Sequence, residues 1–215
     1  AEVSIEFLKD SEAEYLVTDA YQGYAKSTKD TEIKNAYRNA HARREFIKAE
    51  KNYPEATGII NWYKQLYQLE EQIKNKPPDT KQDARNQIAW PIFKKMRDYL
   101  INDVNHLPSL QIGKAKNYFL KYFTELTRYV QDGRVPIDNN LAERGLRGPV
   151  IGRKNYYGNH SKRGAKTTSI LYSIIESCKL NKINPHEYLQ NIVQMMHAGA
   201  EPLTPAEYAL RWRFT

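Results

Sequence analysis

"YLVTDAYQGY", residues 15–24, decides the fold class. Four residues rich in apolar and β-branched side chains run up to an acid, and a Gly-containing turn follows. That pattern predicts a short buried strand, Tyr15–Thr18, ending at Asp19 before a turn and a short helix. "TEIKNAY" (31–37) offers a second strand through Ile33, and residues 4–10 read as the end of a helix. From "NAHARREF" (39–46) onward the pattern is helical and stays so. The expected class is therefore α+β, predominantly α.

The helical part divides at its breakers. In "IINWYKQLYQLEEQI" (59–73), Ile59, Trp62, Leu66, Leu69 and Ile73 recur at spacings of 3 and 4, the seam of a helix packed on a partner. "KNKPPDT" (74–80) ends it at Pro77 and Pro78, with Asp79 or Thr80 placed to cap the next helix. That helix carries Ile88, Ile92, Met96 and Tyr99 on one face, with a start or kink at Pro91, so the two form a helical hairpin. "LPSLQIGKAKNYFLKYFTELTRYV" (107–130) adds a helix through Ala115, Tyr118, Phe119, Tyr122, Leu126 and Tyr129, stopped by "QDGRVP". Another runs from about Ala165 to Leu180, burying Ile170, Leu171, Ile174, Ile175 and Cys178. In "NPHEYLQNIVQMM" (184–196), Asn184 is the cap, Pro185 the first helical residue and Glu187 the acid three beyond the cap. A short tail from Pro202 follows, with Trp212 tucked against the body.

Composition bounds the function. Hydrophobic residues at 40% and charged residues at 27% describe a globular protein rather than a disordered one. No apolar run spans a bilayer, and the acidic, amphipathic start is no signal peptide. The sequence starts without Met and is expected to be part of something longer. One cysteine, Cys178, excludes an internal disulfide and a multi-thiolate metal site, which fits a reducing cytoplasm. His106, His160, His186 and His197 show no ligand spacing. The net charge is +8, and six of those charges fall between Arg134 and Lys166. That stretch interleaves Lys and Arg with Asn155, Tyr156, Tyr157 and Asn159, a pattern suited to a phosphate backbone and equally to a solvated basic face.

Within this basic stretch stand two acids, Asp138 and Glu143. Asp138 reads as the cap of the helix that follows it or as a turn residue, and Glu143 falls about one turn in, within i,i+4 reach of Arg147. Asp19 closes a strand, a common place for catalytic carboxylates in sheet proteins. Metal-dependent phosphoryl transfer needs carboxylates converging on cations, and hard oxygen ligands favour Mg²⁺ or Mn²⁺. Asp19 and Glu143 are the candidate catalytic and metal-binding pair. Arg43, Arg44, Arg144, Arg147, Arg153, Lys154, Lys162 and Arg163 are the candidate DNA-binding residues. His41 has a structural role as its first expectation.

"TDAYQGY", "NAHARREF", "RYVQDGRVPIDNNLAERGLRGPVIGRKNYYG" and "SILYSIIESCKLNKINPHEYL", in that order from about Tyr15 to Leu189, resemble the transposases of the insertion sequence 66 family. The resemblance implies a DDE-type enzyme with a ribonuclease-H-like core. It makes Asp19 the second acid of the triad and Glu143 the third, with two Mg²⁺ or Mn²⁺ ions, DNA ends and target as partners, a homo-oligomer, and a place at the bacterial nucleoid. It implies a partial core over 1–40, a helical insertion over 41–133, the rest of the core with Glu143 over 134–181, and a C-terminal helix and tail over 182–215. Two departures stand out. The first aspartate of the triad lies upstream of "YLVTD", and Asp10 does not replace it, so this piece is expected to be inactive alone. Arg38 stands three residues before His41, where the family pattern leads one to expect cysteine. The competing expectation is a non-catalytic DNA-binding or multimer-assembly module in which the acids are caps.

Overall fold

The computed structural model describes residues 6, 8, 11–20, 26–103, 107–156 and 161–212, without the side chains at 141, 142, 156 and 212. The turn and short helix expected after Asp19 fall mostly outside these residues, as do Tyr157, Asn159, His106, His160 and the side chains of Tyr156 and Trp212. The chain forms two compact units, residues 1–139 and 140–215. No helix among the described residues is long and apolar enough to cross a membrane.

The first unit opens with β1 (Tyr15–Thr18) and β2 (Lys34–Tyr37). They pair in parallel with Tyr15 opposite Lys34 and Thr18 opposite Tyr37. The ladder is extended at both ends, by Lys34 N–H donating to the Glu14 carbonyl and Arg38 N–H to that of Thr18. β1 lies where its sequence placed it. β2 begins just beyond Ile33, which is buried ahead of the strand rather than within it.

The helices of this unit are α1 (Asn39–Glu50), α2 (Ala56–Ile73), α3 (Pro78–Ala84), α4 (Trp90–Asn102), α5 (Gln111–Lys121) and α6 (Phe123–Thr127). The single helix expected over 107–130 is thus in pieces. It breaks at Tyr122, whose φ of −109° and ψ of 23° leave the helical region, and closes in a 3₁₀ turn at Arg128–Val130. Phe46, Tyr63, Leu66, Phe93, Met96 and Phe119 make a core with no exposed surface. The α2 seam holds except that Tyr63 takes the buried position and Trp62 sits half-buried, edge-on to Tyr99. α3 needs neither Asp79 nor Thr80 as cap, since Pro78 starts it with a fixed φ and no N–H to satisfy.

α3 and α4 are joined by a π-helical turn, Arg85–Ala89, in which Trp90 N–H reaches back five residues to the Arg85 carbonyl. Pro91 follows at once and has no N–H to give, so the wider turn takes up what a continuous helix could not. The buried face lies one residue on from most of the expected positions. Ile88 and Tyr99 are exposed, and Arg85, Ala89, Phe93, Met96 and Leu100 line the core.

Arg85 is only 2% exposed. Its Nε and Nη2 donate to the two carboxylate oxygens of Glu70, each at 2.8 Å, and Nη1 donates to the carbonyls of Tyr129, Asp132 and Val135. The segment between α6 and the second unit is therefore tied to the hairpin by one guanidinium. The same segment passes so close to the start of α3 that a Cβ at Gly133 would lie 1.8 Å from the Pro78 carbonyl oxygen.

The second unit holds α7 (Asn140–Tyr156), α8 (Lys162–Leu180), α9 (Pro185–His197) and α10 (Pro205–Trp212). Ser161 caps α8 by accepting from Gly164 N–H at 3.0 Å, and Asn184 caps α9 by accepting from His186 N–H at 3.0 Å, with Glu187 bound to the Asn184 amide. α10 was not expected from the sequence, although "TPAE" is a capping box. Thr204 Oγ1 accepts from Glu207 N–H while the Glu207 carboxylate accepts from Thr204 N–H at 2.8 Å. The core of this unit is small: Cys178, Tyr188, Ile192 and Tyr208. Of the residues expected to be buried on α8, only Cys178 is, while Ile174 and Ile175 are half-buried and Ile170 and Leu171 exposed. Ile174 packs on the Cys178 cluster, while Ile170 and Leu171 one turn earlier are exposed.

Candidate functional site

Parallel pairing brings the carboxyl ends of β1 and β2 to one edge, and the next residue of each strand is charged: Asp19 and Arg38. The Arg38 fork grips the acid. Nε donates to Oδ1, and Nη2 donates to Oδ2 at 2.7 Å. Nη1 donates to Asn139 Oδ1 at 3.1 Å, and Asn139 in turn reaches the Val17 carbonyl. Arg38 is 4% exposed while the Asp19 side chain is 40% exposed. The cation is built into the fold, and the carboxylate looks out. His41 Nδ1 stands 3.8 Å from Asp19 Oδ1, its ring tilted against Tyr118. Burial, reinforced by the charge of Asp19, pushes the Tyr118 hydroxyl above its ordinary pKa.

Behind this edge, Asp138 joins two groups far from it in sequence. Its Oδ1 accepts from Ala40 N–H at 2.7 Å and its Oδ2 from the Tyr67 hydroxyl at 2.6 Å. It therefore caps α1, whose own N-cap residue, Arg38, offers no side-chain cap. Asp138 is 7% exposed. Burial raises its carboxyl pKa, against the lowering effect of those hydrogen bonds and of Arg38 and Arg43. Burial and the facing carboxylate together raise the Tyr67 hydroxyl far above its ordinary value, so it stays a donor.

The other candidates lie as follows. Arg43 is half-buried over the Tyr67 ring, with an Nε that is fully buried and makes no hydrogen bond, whereas Arg44 on the next position of α1 is exposed. In the second unit Glu143 sits exposed in the first turn of α7, and helical spacing puts it on one side with Arg147 and Lys154. Gly145 and Gly148 occupy the opposite side, toward α8, where a Cβ at Gly148 would come within 3.1 Å of the Tyr172 ring. Small residues let α8 approach and leave the acid and its cations turned away from it. Arg144, Arg147, Arg153, Lys154, Lys162 and Arg163 are all exposed. Asp19 belongs to the first unit and Glu143 to the second.

A hard divalent cation would want oxygen donors with free lone pairs. Among the described residues no three His, Cys, Asp or Glu side chains are grouped to share an ion. Both Asp19 oxygens already accept from Arg38. The donor set as it stands does not fit a metal pair.

Sequence reasoning missed Arg38, Asn139 and Tyr67. Arg38 follows β2 directly, as Asp19 follows β1, and only the pairing of Thr18 with Tyr37 makes them neighbours.

Residues 1–167, most of the chain and including both candidate acids, match the family described as "Transposase IS66 family". The chain belongs to that family. Among curated proteins it is similar to three uncharacterized proteins of Sinorhizobium fredii (strain NBRC 101917 / NGR234). The protein y4jD is 28% identical over 185 residues, covering 85% of this chain and 36% of its own length. The proteins y4hP and y4qI are 28% and 25% identical, each covering 93% of this chain and 39% of its own length. The chain thus spans less than two-fifths of these relatives. No solved structure matches it. The IS66 match includes Asp19, the Arg38–His41 turn, all of α7 and the first turn of α8, so every sequence-derived candidate falls inside the family's own extent.

Proposed function

We propose that this chain is part of the catalytic region of a DDE-type transposase that cuts transposon ends and joins them to a target. In that reading β1 and β2 belong to a ribonuclease-H-like core, and residues 41–133 are a helical insertion in it. Asp19 and Glu143 are catalytic carboxylates. Cutting and joining are both displacements at phosphorus, by water or by a DNA 3′-hydroxyl, and two Mg²⁺ or Mn²⁺ ions in the whole enzyme would supply the compensating charge, with these acids as oxygen donors. Arg144, Arg147, Arg153, Lys154, Lys162 and Arg163, with Arg44 and the more enclosed Arg43, offset the charge of the DNA backbone. The partners are DNA and further copies of the protein, in the bacterial cytoplasm.

The observation that carries this reading is the placement of Asp19: a partly exposed carboxylate at the C-terminal edge of a parallel strand pair, in a member of the IS66 transposase family. The grip of Arg38 on both its oxygens favours the second reading, a DNA-binding or assembly module with no chemistry of its own. The Glu143→Gln variant of the full-length protein separates the two. Loss of strand cleavage with DNA binding and fold retained supports catalysis. Cleavage at the parent rate removes Glu143 from the active site.

A further inference from the structure

We infer that Arg38 is a resident counter-ion which a divalent cation must displace from Asp19, so that this residue sets how strongly the strand edge takes a metal. The inference rests on the reading of Asp19 as a metal ligand and explains why the donor set does not fit an ion as it stands. A bidentate guanidinium occupies both carboxylate oxygens, the positions a cation would use. The two partners differ in freedom. Arg38 is 4% exposed and is held from a third side by Asn139, which is itself fastened to β1 through the Val17 carbonyl. It cannot follow a swinging carboxylate into solvent.

Asp19 is the half that can turn outward, but doing so strands a buried positive charge. The closed pair is therefore favoured until a competing cation compensates the carboxylate. His41, 3.8 Å from Asp19 Oδ1, does not compete in the same way, because it lies beyond hydrogen-bond distance.

Mn²⁺ binding, followed by the electron paramagnetic resonance signal of free Mn²⁺, tests this in the chain itself. The set is the parent, Arg38→Gln, Arg38→Lys, Asp19→Asn and the Arg38→Gln/Asp19→Asn double variant, with the fold checked by circular dichroism. Arg38→Gln is expected to bind Mn²⁺ about tenfold more tightly than the parent, the effect of losing a charge-assisted competitor. Arg38→Lys keeps the charge without the fork and falls between the two. If Arg38→Gln does not fold, Arg38→Lys decides. The gain must vanish in the Asp19→Asn background. A gain that persists there comes from bulk charge and overturns the inference. If neither Arg38 variant gains while Asp19→Asn weakens binding, the inference fails and Asp19 stands as a ligand. Equal affinity across the set, or no binding in any member, removes Asp19 as a ligand and the inference with it.

Discussion

Arg85→Met tests how the first unit is held together. Methionine keeps much of the buried stem and removes the guanidinium, so the loss is of polar partners more than of packing volume. Left behind are the Glu70 carboxylate, whose side chain is 16% exposed, and the carbonyls of Tyr129, Asp132 and Val135. Breaking a buried ion pair by removing one partner costs about 3–5 kcal/mol. The partial exposure of Glu70 pulls the value toward the lower end, and the three stranded carbonyls push it up again. We expect about 4 kcal/mol, a large share of the roughly 5–15 kcal/mol that holds a domain folded. Urea unfolding followed by far-ultraviolet circular dichroism and by tryptophan fluorescence measures it, with Trp62 and Trp90 reporting on this unit. The Glu70→Gln/Arg85→Met double variant should be less unstable than the sum of the singles by about 1 kcal/mol or more, since each single strands the other's charge. A loss below about 1 kcal/mol for Arg85→Met would refute the view that this one side chain ties the segment before Asp138 to the helical hairpin.

Asp138→Ala leaves Ala40 N–H and the Tyr67 hydroxyl without their acceptor and should cost about 2–3 kcal/mol, whereas Asp138→Asn keeps an oxygen toward Ala40 and should cost under about 1 kcal/mol in the same unfolding assay. Because the folded-state pKa of Asp138 is raised above its ordinary 3.8, its contribution is greatest below that value and declines as pH rises through the raised one. Over that window the parent should lose stability relative to Asp138→Asn, and parallel pH profiles would contradict the burial effect. Arg153→Ala or Lys154→Ala should weaken DNA binding and lower the slope of log affinity against log salt by about 1, read by fluorescence anisotropy across a salt series. Gly133→Ala should cost about 3 kcal/mol or more in thermal unfolding, since its Cβ would overlap the Pro78 carbonyl.

Local patterns in the sequence were read well where one element's own residues decide the outcome. The strand at Tyr15–Thr18, the start of α1, the seam of α2 and the Asn184–Pro185 start of α9 all follow from adjacent side chains and caps. The misses share a cause: a distant residue decides. Asp138 reads locally as a cap or turn residue, and what it holds is a helix that begins 99 positions earlier, at Asn39, because the chain returns to the strand edge there. Nothing local to Arg85 marks it as a core residue; Glu70 and three carbonyls make it one. The buried face of α4 was placed one residue off, because periodicity admits either phase and the choice falls to Phe119 and Tyr129, which pack on Phe93. At the candidate site the place of Asp19, directly after β1, was legible, while the guanidinium closing on it depends on a strand register that no local pattern carries.

The Asp138 cap also fixes the geometry of an architectural joint. Ala40 N–H meets Asp138, and Asn39 N–H donates to the Ile137 carbonyl at 3.2 Å. The chain leaves the strand edge into about a hundred residues of helix and comes back to within one hydrogen bond of where it left. Other ties close the same loop: Asn39 Nδ2 donates to the Leu126 carbonyl, Arg128 Nη1 donates to that of Asn35, and Tyr37 packs edge-on to Tyr122. A change of length at α3 or the turn into α4 would therefore be felt at the strand edge, since Arg85 there holds the carbonyls just ahead of Asp138.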